Sequence, residues 1–245
     1  MCEFSYKPED PEGIQTLEAI ALADHFNQWM YETINPWCSG NIIEIGSGIG
    51  NISSYFLQNQ QMILLSDLRP LFCDALQQKF QNHPTCLGIQ QLDLVHAHFD
   101  EVYESLLGRF DTAFALNVIE HIQDDRQALL NLQKLLKPGG RMIILVPAFN
   151  ALYNRFDKEL HHYRRYIFQT LSEVMPKHQR LLHSSYFNAA GIAGWWFMGG
   201  VLKKKVIPGS SMKMYNRLLP IIRFMDKVTQ KFAGLSHIQV WEKSI

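Results

Sequence analysis

The stretch that decides the fold is IIEIGSGIGN, residues 42–51. A mostly apolar run leads into a glycine-rich turn, and Ile52, Tyr55 and Phe56 then recur at helical spacing. The pattern predicts a strand, a tight turn and a helix. Glycine suits such a turn because it accepts positive φ and lets a ligand approach the backbone closely. The following helix presents unpaired N–H groups and the positive end of its dipole, so we expect a nucleotide-like ligand at this turn.

The spacing of the glycines narrows the choice of nucleotide. Gly46, Gly48 and Gly50 form G-x-G-x-G, and Asn51 stands where the dinucleotide fingerprint G-x-G-x-x-G has its third glycine. Glu44 lies two residues before the first glycine. This arrangement resembles motif I of the class I S-adenosylmethionine (SAM) methyltransferases. A bare glycine turn that binds some other ligand is the alternative.

Strand and helix patterns alternate along the chain, which is typical of an α/β protein with a mostly parallel sheet. The predicted strands lie at about 41–46, 61–66, 85–92, 110–116, 141–146, 180–186 and 236–242. The predicted helices lie at about 11–35, 49–58, 165–175 and 212–232, with others that begin at Pro70 and near Asp125.

Two later stretches make the resemblance to class I methyltransferases more specific. They are NVIEHIQDD, residues 117–125, and LKPGGRMIILVP, residues 136–147, which look like the family's motifs after strand 4 and at strand 5. The resemblance implies a Rossmann-like, seven-stranded methyltransferase fold, with the last strand antiparallel between strands 5 and 6, and SAM as the cofactor. The cofactor-binding residues that it implies are Glu44, Gly46, Ser47, Gly48, Gly50, Asp67, Leu68, Asp93, Leu94, Asn117 and Val118.

Acidic residues follow the predicted second and third strands. Asp67 can accept both ribose hydroxyls, a device that NAD enzymes share, so it supports a ribose without identifying the cofactor. The resemblance implies that Asp93 accepts from the adenine amino group and that Asn117 contacts the methionine end of SAM. An ordinary solvated turn residue is the alternative for each aspartate.

A segment rich in His, Arg and Tyr follows the predicted fifth strand, at the sheet edge where the cofactor loops end. It reads ALYNRFDKELHHYRRY, residues 151–166, and resembles bacterial methyltransferases that carry L-Y-x-x-F-D-x-x-L-x-H-Y-R-R-Y. The arginines can pair with a substrate carboxylate or phosphate, or form salt bridges within the protein. The predicted substrate contacts are Tyr153, His161, Tyr163, Arg164 and Arg165.

Methyl transfer requires alignment of the acceptor and, for a hydroxyl or an ammonium, removal of a proton. His162 is the favoured base and His121 the second candidate, because imidazole titrates near neutral pH. A structural histidine is the alternative for each. The sequence shows no metal-ligand spacing, so we expect no metal. N-V-I-E, residues 117–120, replaces the N/D-P-P-Y of amino- and nucleic-acid N-methyltransferases. We therefore expect O-methylation of a small or lipid-linked molecule, with N- or C-methylation open.

A long insertion separates the predicted sixth and last strands, where the methyltransferase fold normally has a short hairpin. Residues 188–202 are small and aromatic, and residues 212–232 form an amphipathic pattern with basic residues largely off the apolar face. A lid packed on the core is one interpretation. A membrane-surface contact through 188–232, or a homodimer, is another. The chain is predicted to divide into a helical cap (1–38), a core (39–187), a helical lid insertion (188–234) and the last strand (235–245).

The formal net charge is zero, but residues 201–245 carry nine Lys/Arg and two acidic residues, a local charge of +7. A nucleic-acid binder is therefore not expected, although the C-terminal part can present a basic face. The four cysteines show no C-x-x-C pair, which argues against a zinc site or a disulfide framework. We expect a cytoplasmic protein without a signal peptide, with peripheral membrane contact as an open alternative.

Two rival functions belong to other classes. An NAD(P)-dependent oxidoreductase is disfavoured by the glycine spacing, by Asp93 and by the absence of a Tyr-x-x-x-Lys pair. A non-catalytic SAM-binding or membrane-associated scaffold would typically have lost Glu44, a glycine or Asp67, and this sequence retains them all.

Overall fold

The computed structural model describes residues 17, 18, 20–204 and 209–244, apart from the side chains of 209–213. A seven-stranded sheet with helices on both faces forms its centre. The strands are β1 (Ile42–Ile45), β2 (Ile63–Asp67), β3 (Cys86–Gln91), β4 (Phe110–Leu116), β5 (Leu136–Pro147), β6 (Gln179–Phe187) and β7 (Ser236–Lys243).

The strand order is β3-β2-β1-β4-β5-β7-β6. The first five strands pair in parallel, and β7 runs antiparallel to both of its neighbours, β5 and β6. This arrangement confirms the predicted Rossmann-like methyltransferase fold, including the place of its last strand. Because parallel strands end at one edge of the sheet, the loops that follow β1, β2, β3 and β4 meet there.

The helices cover both faces of this sheet. They are α1 (Asp24–Ile34), α2 (Ser53–Gln58), α3 (Pro70–Phe80), α4 (Phe99–Val102), α5 (Asp125–Leu135), α6 (Arg155–Glu159), α7 (Phe168–Val174), α8 (Gly191–Trp195) and α9 (Gly209–Thr229). Short 3-10 turns lie at Asn35–Trp37, Glu104–Leu106, Ile119–His121 and Asn150–Leu152, and a π-helical turn lies at Trp196–Val201.

The core has one cluster of buried residues on each face of the sheet. Successive side chains of a strand point to opposite faces, so Ile43 and Ile45 of β1 join one cluster while Ile42 joins the other. The first cluster includes Leu129 and Leu132 of α5. The second is formed with α1, α2, α3 and α9. Burial on both faces explains why the central strands are nearly continuous apolar runs.

Two helix boundaries differ from the prediction because turns replace the helical ends. The predicted helix 11–35 breaks at Leu22 and Ala23 within the described residues, and α1 begins only at Asp24. Its predicted start, near Pro11, lies outside the described residues. The helix after the glycine turn begins at Ser53 instead of residue 49, since residues 49–52 continue the turn.

Strand β5 begins earlier than the predicted 141–146. The stretch LKPGG, which precedes the predicted strand, belongs to β5 as a bulge, because the register with β4 shifts between Phe110↔Leu136 and Thr112↔Arg141. Gly139 takes a φ of 73° there, which favours glycine. Lys137 binds the carboxylate of Asp111 at 2.8 Å and secures the bulge to β4.

The helical insertion between β6 and β7 is present, with α9 three residues offset from the predicted 212–232. Pro220 lies inside α9 without ending it. Leu219 and Ile222 are buried in the core, and Asp226 accepts backbone N–H groups from Asn188 and Ala189 at 3.3 and 2.7 Å. The division into four segments stays a prediction. No helix in the described part of the chain is long and apolar enough to cross a membrane.

Candidate active site

The glycine turn after β1 is built by close packing. Gly46, Gly48 and Gly50 have φ values of 72°, 54° and 82°. A Cβ on Gly46 would lie 2.5 Å from a methyl group of Val118. A Cβ on Gly50 would collide with the ring of Phe80 on α3. These two glycines thus let β1 approach the loop after β4 and let the turn approach α3.

Two acidic side chains tie this turn to its surroundings. The hydroxyl of Ser53 donates to Glu44, and burial raises the pKa of Glu44 to about 7. Asp67, at the end of β2, accepts the backbone N–H of Gly48 at 2.9 Å and that of Arg69 at 3.0 Å, one on each carboxylate oxygen. Each oxygen retains a lone pair, so Asp67 can accept two further hydrogen bonds.

A cavity of about 2010 Å³ opens above the carboxyl edge of the sheet. Small-molecule sites usually measure roughly 300–1,000 Å³, so this cavity has room for two ligands side by side. The cofactor residues implied by the sequence line it, with the exception of Gly50, which faces α3 instead. Phe26, Asn27 and Met30 of α1 add a wall, whereas Trp29 packs on Phe187.

A network around Asp157 forms another wall of the cavity. His162 Nδ1 lies 2.9 Å from Oδ1 of Asp157, and Arg165 Nε donates to the same oxygen at 2.8 Å. Burial opposes ionisation of Asp157, but these two donors hold its pKa below the usual range. Burial also keeps the pKa of His162 below its ordinary value, although Asp157 acts against this. The pair is therefore a carboxylate and a neutral imidazole, with Nδ1 of His162 as the donor.

Two further titratable groups adjoin this network. The ring of His121 packs edge-on against that of His162, with centroids 4.6 Å apart. Glu120 is fully buried, and neither of its carboxylate oxygens has a hydrogen-bond partner among the residues that the structure describes. Burial raises the pKa of Glu120 to about 8. The backbone N–H of Tyr163 donates to the carbonyl of Glu120 at 2.8 Å, which joins the loop after β4 to the segment after α6.

Residues 43–142 match the family model described as "Methyltransferase domain". Residues 43–142 thus form a methyltransferase domain, and the fold that contains it is that of the class I SAM-dependent methyltransferases. One similar solved structure is phosphoethanolamine N-methyltransferase 2 of Haemonchus contortus in complex with SAM. The two chains are 14% identical, and their superposition has a TM-score of 0.60. The match covers 96% of this methyltransferase and 59% of the Haemonchus contortus chain. A putative sarcosine dimethylglycine methyltransferase from Galdieria sulphuraria is 10% identical and has a TM-score of 0.58. That match covers 89% of this chain and 85% of the other.

Curated relatives match the methyltransferase over part of its length. Hybrid PKS-NRPS synthetase phm1 of Pyrenochaetopsis sp. is 30% identical over 109 residues, 43% of this chain and 3% of that protein. The polyketide synthase component of lovastatin nonaketide synthase from Aspergillus terreus is 27% identical over 111 residues, 44% of this chain and 4% of that protein. The methyltransferase thus spans only a small fraction of these relatives.

The residues present fit SAM. Asp67 has two lone pairs for ribose hydroxyls, and Oδ1 of Asp93 accepts from Val95 N–H at 2.9 Å, which leaves its other oxygen for the adenine amino group. Leu68 and Leu94 supply apolar surface in the same part of the cavity. Asn117, held at a φ of 55°, stands at the end of β4 beside the glycine turn.

The predicted substrate residues divide into two groups. Tyr153, His161, Tyr163 and Arg165 line the cavity of the methyltransferase. Arg165 is nevertheless buried and engaged, since Nη1 also donates to the Ala148 carbonyl at 2.9 Å. Arg164 pairs with Asp125 at 2.6 Å and does not line the cavity. Internal salt bridges, the alternative left open by the sequence, are therefore what the structure shows for both arginines.

Sequence reasoning gave no role to Glu120 or Asp157. Both occur in stretches quoted above, but the pairing of Asp157 with His162 depends on the chain turning back after α6. The prediction of no metal rested on linear spacing, which does not indicate that Glu120, His121 and His162 come together. The position of an acid five residues before a histidine, across a helix end, was the one signal available for Asp157.

Proposed function

We propose that this methyltransferase methylates an acidic hydroxyl group of a small, largely apolar natural product, on the oxygen. The observation that carries the proposal is the pairing of His162 with Asp157 in the cavity wall, beside the predicted SAM site. SAM, when bound, supplies a methyl group that is already activated on a sulfonium. The residues of the chain then have to orient the acceptor and remove its proton.

His162 is suited to accept that proton. Because Nδ1 is engaged with Asp157 and the ring is neutral, Nε2 carries a lone pair. Asp157 holds the ring in position and stabilises the imidazolium that forms when Nε2 takes the proton. Asp157 is itself held by Arg165 and by the backbone N–H of Asn154 at 2.9 Å. His121 adjoins the pair and remains the second candidate for proton removal.

The remainder of the cavity suits an apolar acceptor. Away from the glycine turn it is lined by large apolar side chains of α6 and of the insertion, namely Phe156, Trp195, Phe197, Met198, Met214 and Leu218. Several curated relatives are named as polyketide synthases, which supports an acceptor of polyketide or acyl-chain type. Phenols and enols of such compounds are acidic enough for an imidazole base. Carbon or nitrogen methylation remains the alternative.

The test is an assay of purified protein with SAM and a panel of phenolic, enolic and β-ketoacyl compounds. Mass spectrometry detects the added methyl group, and NMR of the product identifies the methylated atom. An O-methyl product supports the proposal. A C-methyl or N-methyl product overturns the choice of atom, and no product with any acceptor, despite SAM binding, supports the scaffold alternative.

We also propose that the exposed face of α9 contacts an anionic membrane surface, where lipid-linked or amphiphilic acceptors reside. Phe224 and Val228 of α9 expose 73% and 70% of their surface, and Phe232, in the turn that follows α9, exposes 78%. Lys227 and Lys231 flank this apolar face and can approach lipid phosphates. Apolar side chains flanked by cations match the composition of helices that lie in a membrane interface. A homodimer is the competing occupant of this face.

A further inference from the structure

We propose that Glu120, His121 and His162 bind a divalent transition-metal ion in the wall of the cavity. One ligand atom of each residue lies within 4.8 Å of the others. Glu120 and His121 belong to the 3-10 turn after β4, and His162 follows α6. The Tyr163–Glu120 backbone hydrogen bond of 2.8 Å keeps the two segments in register.

The first support is the state of Glu120. Its carboxylate is fully buried, and among the described residues neither oxygen receives a hydrogen bond. Burial of an acid without a donor is costly, and proteins normally compensate it with a partner. The neighbouring cation, Arg165, donates to Asp157 and to the Ala148 carbonyl, and it gives no hydrogen bond to Glu120. A metal ion is the compensating partner that the adjacent imidazoles indicate.

The second support is the orientation of His162. A metal-bound histidine usually donates its other ring N–H to a carboxylate, which fixes the tautomer and leaves the remaining nitrogen for the metal. His162 has this arrangement through Asp157. Asp157 is fixed by Arg165 and Asn154, and the Tyr153 hydroxyl donates to the His162 carbonyl at 2.8 Å. The ring of His162 is therefore held before any metal arrives.

Two imidazoles and one carboxylate suit Zn²⁺, Fe²⁺, Co²⁺ or Mn²⁺ better than Mg²⁺ or Ca²⁺, which prefer oxygen ligands. The ligand atoms must approach one another by about 1 Å to reach bonding distance, since metal–nitrogen bonds measure roughly 2.0–2.1 Å. His121 is exposed and can make this adjustment by side-chain rotation. Three protein ligands leave coordination positions toward the cavity.

An acceptor hydroxyl at one of those positions would be acidified by the metal. This consequence rests on the proposed function, whereas metal binding does not. In the metal-bound enzyme, His162 would position the metal instead of taking the proton itself. The metal-binding proposal and the proposed function are tested separately, because metal binding is measured without SAM and without an acceptor.

The experiment titrates chelator-treated, tag-free protein with Co²⁺ and with Zn²⁺. Visible absorption of Co²⁺ reports ligand number, and calorimetry reports stoichiometry and affinity. We expect one site per chain, with binding at least about 10-fold weaker in Glu120→Gln, His121→Ala and His162→Gln. The matched control, His25→Gln, removes an exposed histidine of α1 and should bind as the wild type does.

Folding of each variant is checked by its SAM affinity and thermal midpoint. His121→Ala changes an exposed side chain, so it keeps the test decisive even if Glu120→Gln is unstable. Absence of binding by the folded wild type overturns the proposal, and so does equal binding by wild type and His121→Ala. Methyl transfer by a wild-type protein that binds no metal would overturn the site while leaving the proposed function in place. A wild-type protein that binds the metal but methylates no acceptor would overturn the proposed function and leave the site in place.

Discussion

Nδ1 of His162, a residue that lines the cavity, lies 2.9 Å from Oδ1 of the fully buried Asp157. Replacement of His162 by Gln keeps a polar side chain of similar length but removes the basic nitrogen. We expect kcat to fall by about 100-fold or more, with SAM affinity within about 2-fold of the wild type. Single-turnover kinetics with an identified acceptor measure the first quantity, and calorimetry measures the second. Full activity of His162→Gln would remove this residue from proton transfer.

Asp67 should determine SAM affinity. Asp67→Asn replaces one acceptor by an amide donor and removes the charge, so we expect SAM to bind about 10- to 100-fold more weakly. Asp74→Asn is the matched control, because Asp74 is exposed on α3 and does not line the cavity. Calorimetric titration with SAM checks both variants. Equal affinity in the two variants would mean that Asp67 serves the turn alone.

Gly50 should be a stability position and not a cofactor contact. Gly108→Ala adds a Cβ into open space at a φ of 65°, which should cost about 1–2 kcal/mol of unfolding free energy. Gly50→Ala has a similar backbone cost at a φ of 82° and also meets Phe80, so about 1–3 kcal/mol should be added. Urea unfolding measures the difference. If Gly50→Ala were no less stable than Gly108→Ala, the packing of the turn on α3 would be misjudged.

His237 should make folding sensitive to mild acid. Burial in β7 lowers its pKa from 6.5 to about 4, so the folded state stays neutral while the unfolded chain takes up a proton below 6.5. Unfolding free energy should therefore fall as the pH drops through this window, by roughly 3 kcal/mol in total. His237→Gln should flatten that part of the profile, whereas His25→Gln, an exposed control, should not. Urea unfolding of the wild type and both variants at several pH values measures these profiles. If the profile of His237→Gln were as steep as that of the wild type, His237 would not be the source of the pH dependence.

The apolar face of α9 should govern membrane association. Phe224→Asp combined with Val228→Asp should reduce sedimentation with anionic vesicles by about tenfold or more, because two apolar contacts are lost and two repulsive charges are gained. Leu71→Asp is the control, since Leu71 is 60% exposed on α3. Neutral vesicles should bind the wild type weakly. A concentration-dependent dimer that the double variant abolishes, without vesicle binding, would assign this face to a second copy.

The sequence was most informative where local pattern and chain order determine structure. The glycine turn, the strand ends at Asp67 and Asp93 and the antiparallel β7 were all predictable, because each depends on spacing along the chain or on the family resemblance. The helix after the turn was predicted too long, since periodicity does not show where a glycine turn ends. Gly50 was assigned to the cofactor because spacing cannot show which side of a turn faces a ligand.

Long-range pairing limited the prediction of the site. Nothing in the sequence shows that the Tyr163 backbone would bind the Glu120 carbonyl, yet this bond brings His162 to His121. Likewise, the sequence does not indicate that Arg164 pairs with Asp125 or that Arg165 pairs with Asp157. Residue type indicated chemistry correctly in this segment, but the partners came from tertiary contacts.

The position of β7 has a consequence for synthesis on the ribosome. This strand lies between β5 and β6, so β6 has no neighbour in the sheet until residues 236–243 have been made. Formation of such distant pairings is slow, because a long loop must close first. The nascent chain can assemble β1 to β5 early, while β6 and the insertion wait with their apolar surfaces uncovered. Completion of the sheet is therefore a single event that coincides with the arrival of β7.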